Sequence, residues 1–587
     1  MTVTIPRTDP AIRIDYNRRD RELVLITPFS ERATCSALSS RRWDKKTNTW
    51  RVPMILPNAE EVARVFEGRA TWTEQAMGEL SKLRSTIGEF MALKDRLDIT
   101  AEDTGYRWRT RPFNHQASGT AAILARDRVC VFDEMGLGKS KEVIDAAVER
   151  LRRRQCSRVV VLCPTSLKFN WGGDEPRGIL GEIQKHALEP YGEFSGVLVV
   201  DGSPKKRAEQ LATAFEKQWI IINYELAKIH SDLLKQLAQD QYLVCDEAHR
   251  LKNIKTQTYK TVKSLRPRFL NLLSGTPVAN TPVDVYALAD LTEPGLLGAS
   301  YGAFVKRFTR KGGFEGREIV GYKDLNEVRA RVKTISIRRR KDILEGLPPK
   351  VYETRIIEMA GDQKKEYIRM RDDMVAFYRA MPEEDFLLQA PQAITQLLRL
   401  QQIADGFLAV ADRTPQWYNS QPKLDALDEI VEEVCEREKK KLVIWSRFKP
   451  VTDFVAKRYA HLGSVRMSGE IGAKDRSEIV NRFRTQDDCK VFVSQVHTGG
   501  LGLTLTEANT QVFIDRWWSP AVNEQAEDRL HRIGTKGTVL VVTLMCRESI
   551  DENVMRMLHD KRRWADEVTG DKSVQLSKSD VLNLLGA

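Results

Sequence analysis

The chain has 587 residues, 42% hydrophobic and 30% charged, with a formal net charge of +12, which is too long for one core and predicts about three to four domains. No apolar run approaches the ~18 residues a membrane span needs, and the opening MTVTIPRTDPAIRIDYNRRD lacks the apolar core of a secretory signal. Eight cysteines stand singly with no Cys-x-x-Cys pair, against structural zinc or disulfides and for a reducing compartment, while the positive balance serves a polyanionic partner or mere solubility.

Residues 1–73 read as a small α+β module: strands AIRIDY and ELVLITPF, a hairpin RRWDKKTNTWRVP, then a helix NAEEVARVFEG. Trp43 and Trp50 bracket the basic turn. With Arg41, Arg42, Lys45, Lys46 and Arg51 around them they could stack on bases and neutralise phosphates. The alternative is that the two rings fill a small core. Residues 74–104 read as a helical, mixed-charge connector, and residues 105–284 as a first α/β lobe. Within it Gln116 offers an amide able to pair both edges of adenine, beside Phe113, whose ring could cover the base.

Val129 to Phe132 form an apolar strand, followed by DEMGLGKS and the helical stretch KEVIDAAVERL. A loop between strand and helix start exposes backbone N–H groups to a phosphate, and the helix dipole adds positive potential there. Gly136 and Gly138 allow close approach around Leu137, Lys139 can reach the outer phosphates, and the Ser140 hydroxyl can hold magnesium. Asp133 stands where a strict P-loop has its first glycine, so the local pattern alone leaves an ordinary helix start open.

RVVVLCPTSLKFNW and QWIIINYELAKIH read as further buried parallel strands ending in turns. QYLVCDEAHRLKN adds Asp246 and Glu247 at a strand's C-terminal end, where ligands of open α/β sheets gather. One carboxylate can hold magnesium through water while the next orients and deprotonates an attacking water. RFLNLLSGTPVAN ends in Ser274 and Thr276, small hydroxyls that could relay a γ-phosphate change or simply form a turn.

Residues 285–420 read as helical insertions and linker, including the basic run Arg338-Arg339-Arg340-Lys341, a solvated face or a DNA contact. Strands resume over 421–555 in a second α/β series, ending in NEQAEDRLHRIG, and 556–587 is a tail. Arg529 and Arg532 lie three apart, which on a helix puts them on one face, able to act across a cleft on a γ-phosphate. A surface Arg-x-x-Arg pair is the plain alternative.

In this order the stretches Gln116, DEMGLGKS (133–140), PTSLKFNW (164–171), DEAH (246–249), SGTP (274–277), RRRK through LPPK (338–350), GGLGLTLTEAN (499–509) and WWSP with QAEDRLHRIG (517–534) resemble the Swi/Snf-type ATPases of helicase superfamily two. That family's own phosphate loop begins Asp-Glu-Met-Gly. The resemblance implies an α/β fold of two RecA-like lobes, ATP and magnesium as cofactors, and double-stranded or branched DNA as partner. It assigns Gln116, Asp133, Gly136, Leu137, Gly138, Lys139 and Ser140 to nucleotide, Ser140 and Asp246 to magnesium, and Glu247 to the general base. Arg529 and Arg532 become the fingers, Ser274 and Thr276 the coupling residues, and Thr165, Ser166 and Ser494 the contacts to the phosphodiester backbone. The family pattern is departed from at His497 and Thr498, at Thr504 and at Thr535.

The N-terminal hairpin resembles the HepA-related (HARP) domain of annealing helicases, which implies a preference for fork or branched DNA through Trp43 and Trp50. The expected protein is a monomeric, DNA-stimulated ATPase translocating on duplex DNA, cytoplasmic in a bacterial or virus-infected cell and nuclear in a eukaryote. Deletion of residues 1–100 is expected to spare basal hydrolysis. A strand-separating helicase, an RNA-dependent ATPase and an ATP-gated DNA-structure binder remain alternatives.

Overall fold

Apolar residues alternate along the first strands of the chain and run unbroken along the later ones, and the sheets divide the same way. The computed structural model describes residues 12–275, 282–312, 318–344, 346–409, 414–499, 503–567 and 578–586. In β1 (Ile12–Asn17) the alternate residues Ile12, Ile14 and Tyr16 are buried. β1 joins β2 (Glu22–Ile26), β3 (Arg42–Asp44), β4 (Thr49–Pro53) and β5 (Ala70–Trp72) in a five-stranded sheet ordered β3-β4-β2-β1-β5. Its core includes Ala59 and Val62 of the helix Leu56–Val65, and Ala76 and Leu80 of the helix Glu74–Leu93.

The second sheet is wholly parallel and carries helices on both faces. It contains β6 (Arg128–Val131), β7 (Val159–Cys163), β8 (Val197–Val199), β9 (Trp219–Asn223), β10 (Tyr242–Cys245) and β11 (Phe269–Leu273). After a hairpin of β12 (Thr309–Gly312) and β13 (Glu318–Tyr322), β14 (Ser336–Ile337) closes its edge, giving the order β14-β6-β11-β10-β7-β9-β8. Every residue of β7, β9, β10 and β11 is buried, as continuous Val/Ile/Leu runs require when both faces are covered.

The third sheet is again parallel. β15 (Lys350–Ile357) lies at its edge, a small hairpin of β16 (Phe407–Leu408) and β17 (Gln416–Trp417) follows, then β18 (Leu442–Ser446), β19 (Val465–Met467), β20 (Val491–Gln495), β21 (Thr510–Phe513) and β22 (Val539–Cys546). The order is β15-β22-β21-β18-β20-β19. Long helices Gly361–Ala380, Glu383–Ala404 and Ile550–Glu567 pack with Lys578–Leu585 into a separate apolar cluster, so the described end of the tail folds back through Val581 and Leu584.

Two segments depart from the sequence reading. Residues 74–104 are not a free connector: Phe90 is fully buried among Val129, Val131 and Val159 of the first parallel sheet. Leu93 accepts a hydrogen bond at its carbonyl from Ser118, and the buried Lys94 ammonium donates to the carbonyls of Lys333 (2.9 Å) and Ser336 (3.1 Å). Removing residues 1–100 would open that core, so the expectation that hydrolysis survives the deletion is withdrawn. The stretch 285–420 also supplies strands to both parallel sheets. β14 has two residues, too few to register as a pattern, and β15 leaves Val351, Tyr352 and Ile356 exposed at a sheet edge, so neither reads as a buried strand. Among the described residues no helix is long and apolar enough to cross a membrane.

Candidate active site

β6 runs into a loop that enters the helix Lys139–Arg152. Gly136 (φ 87°) and Gly138 (φ 86°) hold the left-handed backbone that a side chain resists. A Cβ at Gly138 would strike the Gln116 amide, and one at Gly136 would lie 2.7 Å from Cβ of Arg532, on the far wall of the cleft. Lys139 Nζ turns back and donates to the carbonyls of Asp133 (2.8 Å) and Glu134 (3.2 Å). Burial pushes its pKa down, against the favourable charges of Glu247, Asp133 and Asp246. Ser140 lies partly buried in the first turn.

The loop is braced along its length. Backbone N–H groups of Cys130, Phe132 and Glu134 donate to the carbonyls of Ile335 (2.8 Å), Ile337 (2.8 Å) and Arg339 (3.0 Å), prolonging the β14 ladder past its last assigned residue. With that strand-like period two, Arg339 and Lys341 point inward while Arg338 and Arg340 are exposed. The basic run is therefore a solvated face at only alternate positions. Asp133, expected at the nucleotide, is fully buried and accepts from Arg339 N and Nε, both at 2.8 Å. The same guanidinium meets Glu142 at 2.7 Å and the His115 carbonyl. A carboxylate removed from water must be paired, and Asp133 spends both oxygens inside the fold.

Gln116 is likewise committed. Its Oε1 accepts from Phe113 N (3.1 Å) and its Nε2 donates to the Leu137 carbonyl (3.0 Å), which also receives His115 Nε2 at 2.9 Å. Instead of presenting a free amide to adenine, it ties the start of the helix Asn114–Ala125 to the glycine loop. Phe113 is exposed and stacked 5.9 Å from His115.

At the end of β10, Asp246 Oδ2 accepts from Trp171 Nε1 (2.8 Å), Oδ1 accepts from Glu247 N (2.9 Å), and its carbonyl accepts from the Tyr224 hydroxyl (2.7 Å). Burial, then the neighbouring Glu247 charge, push Asp246 upward. Glu247 adopts φ 50°, ψ 49°, a left-handed conformation unusual for a residue with a side chain. Its Oε1 accepts from Gln525 Nε2 (3.3 Å) of the opposite lobe, and Oε2 faces His249 Nδ1 at 3.3 Å. Burial raises the Glu247 pKa, but His249, Lys139 and Arg529 outweigh it and hold the carboxylate below its usual range. Ser274 is buried after β11, its N–H donating to the Val131 carbonyl (3.1 Å), while Thr276 lies outside the described residues.

The arginines do not share a helical face. The helix Pro520–Glu527 ends before them, and the turn beyond it is held by Thr535, whose Oγ1 accepts from Arg532 N (3.1 Å) and donates to the Leu530 carbonyl. The hydroxyl competes with backbone partners that a helix would need. The two side chains still converge: Arg529 Nη1 and Arg532 Nη1 donate to one acceptor, the Leu503 carbonyl (3.3 and 3.1 Å), and Arg532 also donates to Thr504 Oγ1 (2.8 Å). Thr504 and Thr535, two of the departures from the family pattern, are thus both in contact with Arg532. Burial, then the Arg532 charge, bring Arg529 down to about 10, while Glu247 and Asp246 favour its charge from the other wall.

Of the residues expected at DNA, Thr165 is exposed, with Oγ1 accepting from Asn223 Nδ2 (2.6 Å), and Ser166 follows it with a buried hydroxyl. Ser494 does not fit: it is fully buried within β20, its hydroxyl donating to the Gln495 carbonyl (3.2 Å), because a strand covered on both faces leaves no side open. Trp50 packs against the N-terminal core as the core reading required, but Trp43 stays 45% exposed, edge-on to Trp50 at 5.1 Å. His497 is exposed, its ring 5.6 Å from Trp517. Sequence reasoning gave no role to Trp171, His249 or Gln525 and read Arg339 and Lys341 only as members of a basic run, although each lies in or beside a motif stretch.

Residues 115–405 match the SNF2-related domain and residues 422–534 the helicase conserved C-terminal domain. The chain carries an SNF2-related domain followed by a helicase C-terminal domain. Similar proteins are the human DNA repair and recombination protein RAD54-like, 29% identical over 493 residues (75% of this chain, 62% of that protein), and the TATA-binding protein-associated factor mot1 of Aspergillus fumigatus, 25% identical over 574 residues (86% and 29%). This SNF2-related chain therefore spans about three-fifths of the first and under a third of the second. A solved Sulfolobus solfataricus SWI2/SNF2 ATPase core in complex with dsDNA is 23% identical, covering 82% of this chain and 98% of its own, at a TM-score of 0.35 that adds nothing to the fold described above.

Proposed function

We propose that this chain is a DNA-stimulated ATPase that translocates along double-stranded DNA. The observation that carries the reading is the apposition of Arg529 and Arg532 with the phosphate loop and the Asp246–Glu247 pair, across a cleft already bridged by Gln525 and Glu247. Two crowded guanidiniums, Arg529 buried and Arg532 half-buried, are relieved by an anion between them and Lys139, as a polyphosphate would be. Glu247, unprotonated and aimed into the cleft by its backbone, is suited to take a proton from water.

The residues also fit magnesium. Two adjoining carboxylates, Asp246 half-buried and Glu247 buried, the first raised by desolvation and then by the other's charge, favour a divalent cation, and Asp246 and Ser140 are the residues that would hold it. When bound, the ion supplies neutralisation of phosphate charge. Lys139 and the glycine-loop N–H groups then bind and orient the phosphates, and Gln116 keeps the loop in place. The exposed Thr165 supports a sequence-tolerant grip on the phosphodiester backbone, with salt-sensitive binding, whereas the buried Ser166 hydroxyl does not reach such a partner.

The half-exposed Trp43 on an edge strand supports a second element of the reading, a HARP-like module that prefers branched DNA. Magnesium-ATPase assays with linear duplex, forked duplex, single strands and RNA test both. Duplex-stimulated turnover with directional displacement of a third strand is expected. Equal or greater stimulation by RNA overturns translocation on duplex, and a protein that binds forks without stripping a third strand is an ATP-gated binder.

A further inference from the structure

The segment after β14 touches both walls of the cleft, and nothing in the proposed chemistry uses it. Lys341 is bonded at both ends. Its backbone N–H donates to Glu134 Oε2 (2.9 Å) in the phosphate loop, while its Nζ donates to the His531 carbonyl (2.7 Å) and pairs with Asp528 Oδ1 (2.7 Å). Asp528 immediately precedes Arg529 and His531 immediately precedes Arg532. We infer that Lys341 is a positioning residue that fastens the arginine turn to the phosphate loop, so that ATP held by the loop meets both arginines in register; this rests on the reading of the cleft as an ATP site.

The connection is short and largely dry. Glu134, which receives the main chain of Lys341, also gives its carbonyl to Lys139 (3.2 Å) and its N–H to Arg339 (3.0 Å), so a shift of Lys341 is felt at the phosphate-binding lysine. The Lys341 side chain is 11% exposed and that of Asp528 13%, which makes the pair stronger than a solvated surface pair. Lys350 also pairs with Asp528 (2.7 Å) and with Glu527 (3.2 Å), but it stands on β15 of the same sheet as the turn. It steadies Asp528 without crossing to the phosphate loop, and so provides a control of equal charge.

The charged groups facing the Lys341 ammonium are Asp528, Lys350 and Glu134. The neighbouring His531 imidazole donates to the Pro348 carbonyl (2.7 Å) and is kept below its usual range by burial. Burial brings Lys341 down to about 8, with Asp528 favouring its charge and Lys350 opposing it. The ammonium is present below that pH and lost as pH rises through it, whereas a guanidinium at the same position stays charged.

The test uses the full chain, with duplex-stimulated steady-state ATPase, binding of a fluorescent ATP analogue, and thermal melting. Lys341→Ala is expected to lower kcat about 10-fold to 30-fold with analogue affinity within about twofold of wild type, because alignment and not phosphate binding is lost. Lys350→Ala is expected to change kcat less than about threefold, since the crossing bond remains. Lys341→Arg should recover most of the turnover and hold it at pH 9, where wild type declines. Adding Asp528→Ala to Lys341→Ala should cost nothing further, as partners in one contact are not additive. Wild-type kcat in Lys341→Ala, a change in analogue affinity alone, or multiplying Lys341 and Asp528 effects would each overturn the inference. Absence of ATP turnover in the wild type would instead overturn the reading of the site itself, and the inference with it.

Discussion

Lys139 and Arg532 stand on opposite walls of one cleft and are held by different means. Around Lys139, the loop is fixed by a β-ladder through Arg339, by a fully buried Arg339–Asp133–Glu142 network, and by Gln116 and His115 on the Leu137 carbonyl. Around Arg532, the turn after the helix Pro520–Glu527 is held by the Leu503 carbonyl, two threonine hydroxyls and the bridge from Lys341. The first wall is built into its sheet, while the second is a turn held by side-chain and carbonyl contacts of its own lobe and by one bond from Lys341. On the reading proposed above, the loop around Lys139 serves binding, and the arginine turn together with Glu247 serves turnover.

The sharpest way to break that contrast is Arg532→Ala. Turnover should fall about 10³-fold with nucleotide affinity retained, since the guanidinium is seated by its own lobe and acts on charge that develops during transfer. Loss of affinity with an unchanged chemical step would erase the distinction between the walls. Glu247→Gln follows, with a drop of about 10²-fold or more in turnover and intact ATP binding, read by single-turnover kinetics. Wild-type-like turnover there would remove Glu247 from its role.

Arg339→Met tests the first wall from beneath. It strands Asp133 and Glu142 without their cation, and should cost about 3–5 kcal/mol of stability, visible as a lowered melting temperature before any kinetic effect. A melting curve like that of wild type would mean the network contributes little to the loop.

How far the sequence discloses these walls depends on how local the encoding is. The glycine loop and the DEAH stretch announce themselves because strand, turn and helix start are written in adjacent residues, and their side chains act where their own backbone puts them. Arg339 does not, because its partner Asp133 lies 206 residues away and a run of four cations reads as a solvated face unless the strand period beneath it is known. Arg529 and Arg532 are legible as a pair but not as a geometry. Helical spacing predicts a shared face, and a turn in which the Thr535 hydroxyl is bonded to Arg532 N brings them to one carbonyl instead. β15 is hidden for a related reason, since an edge strand with exposed Val351 and Tyr352 lacks the unbroken burial that marks its neighbours.

The smallest effect on hydrolysis is expected farthest from the cleft, at the N-terminal sheet. Trp43 and Trp50 face each other across β3 and β4, yet Trp50 packs into the small core and Trp43 stays 45% exposed beside Arg42. Trp43→Ala should therefore leave melting within about 0.5 kcal/mol of wild type and basal ATPase unchanged. Affinity for forked DNA should still fall about 5-fold to 100-fold, the worth of one base stacked on an aromatic ring. Trp50→Ala should do the reverse, lowering the melting temperature first. If forked and linear duplex bind the Trp43→Ala protein as they bind wild type, the exposed ring is an ornament of the hairpin, and the module's contribution lies only in the contacts through which Ile55 and Phe90 complete the first lobe.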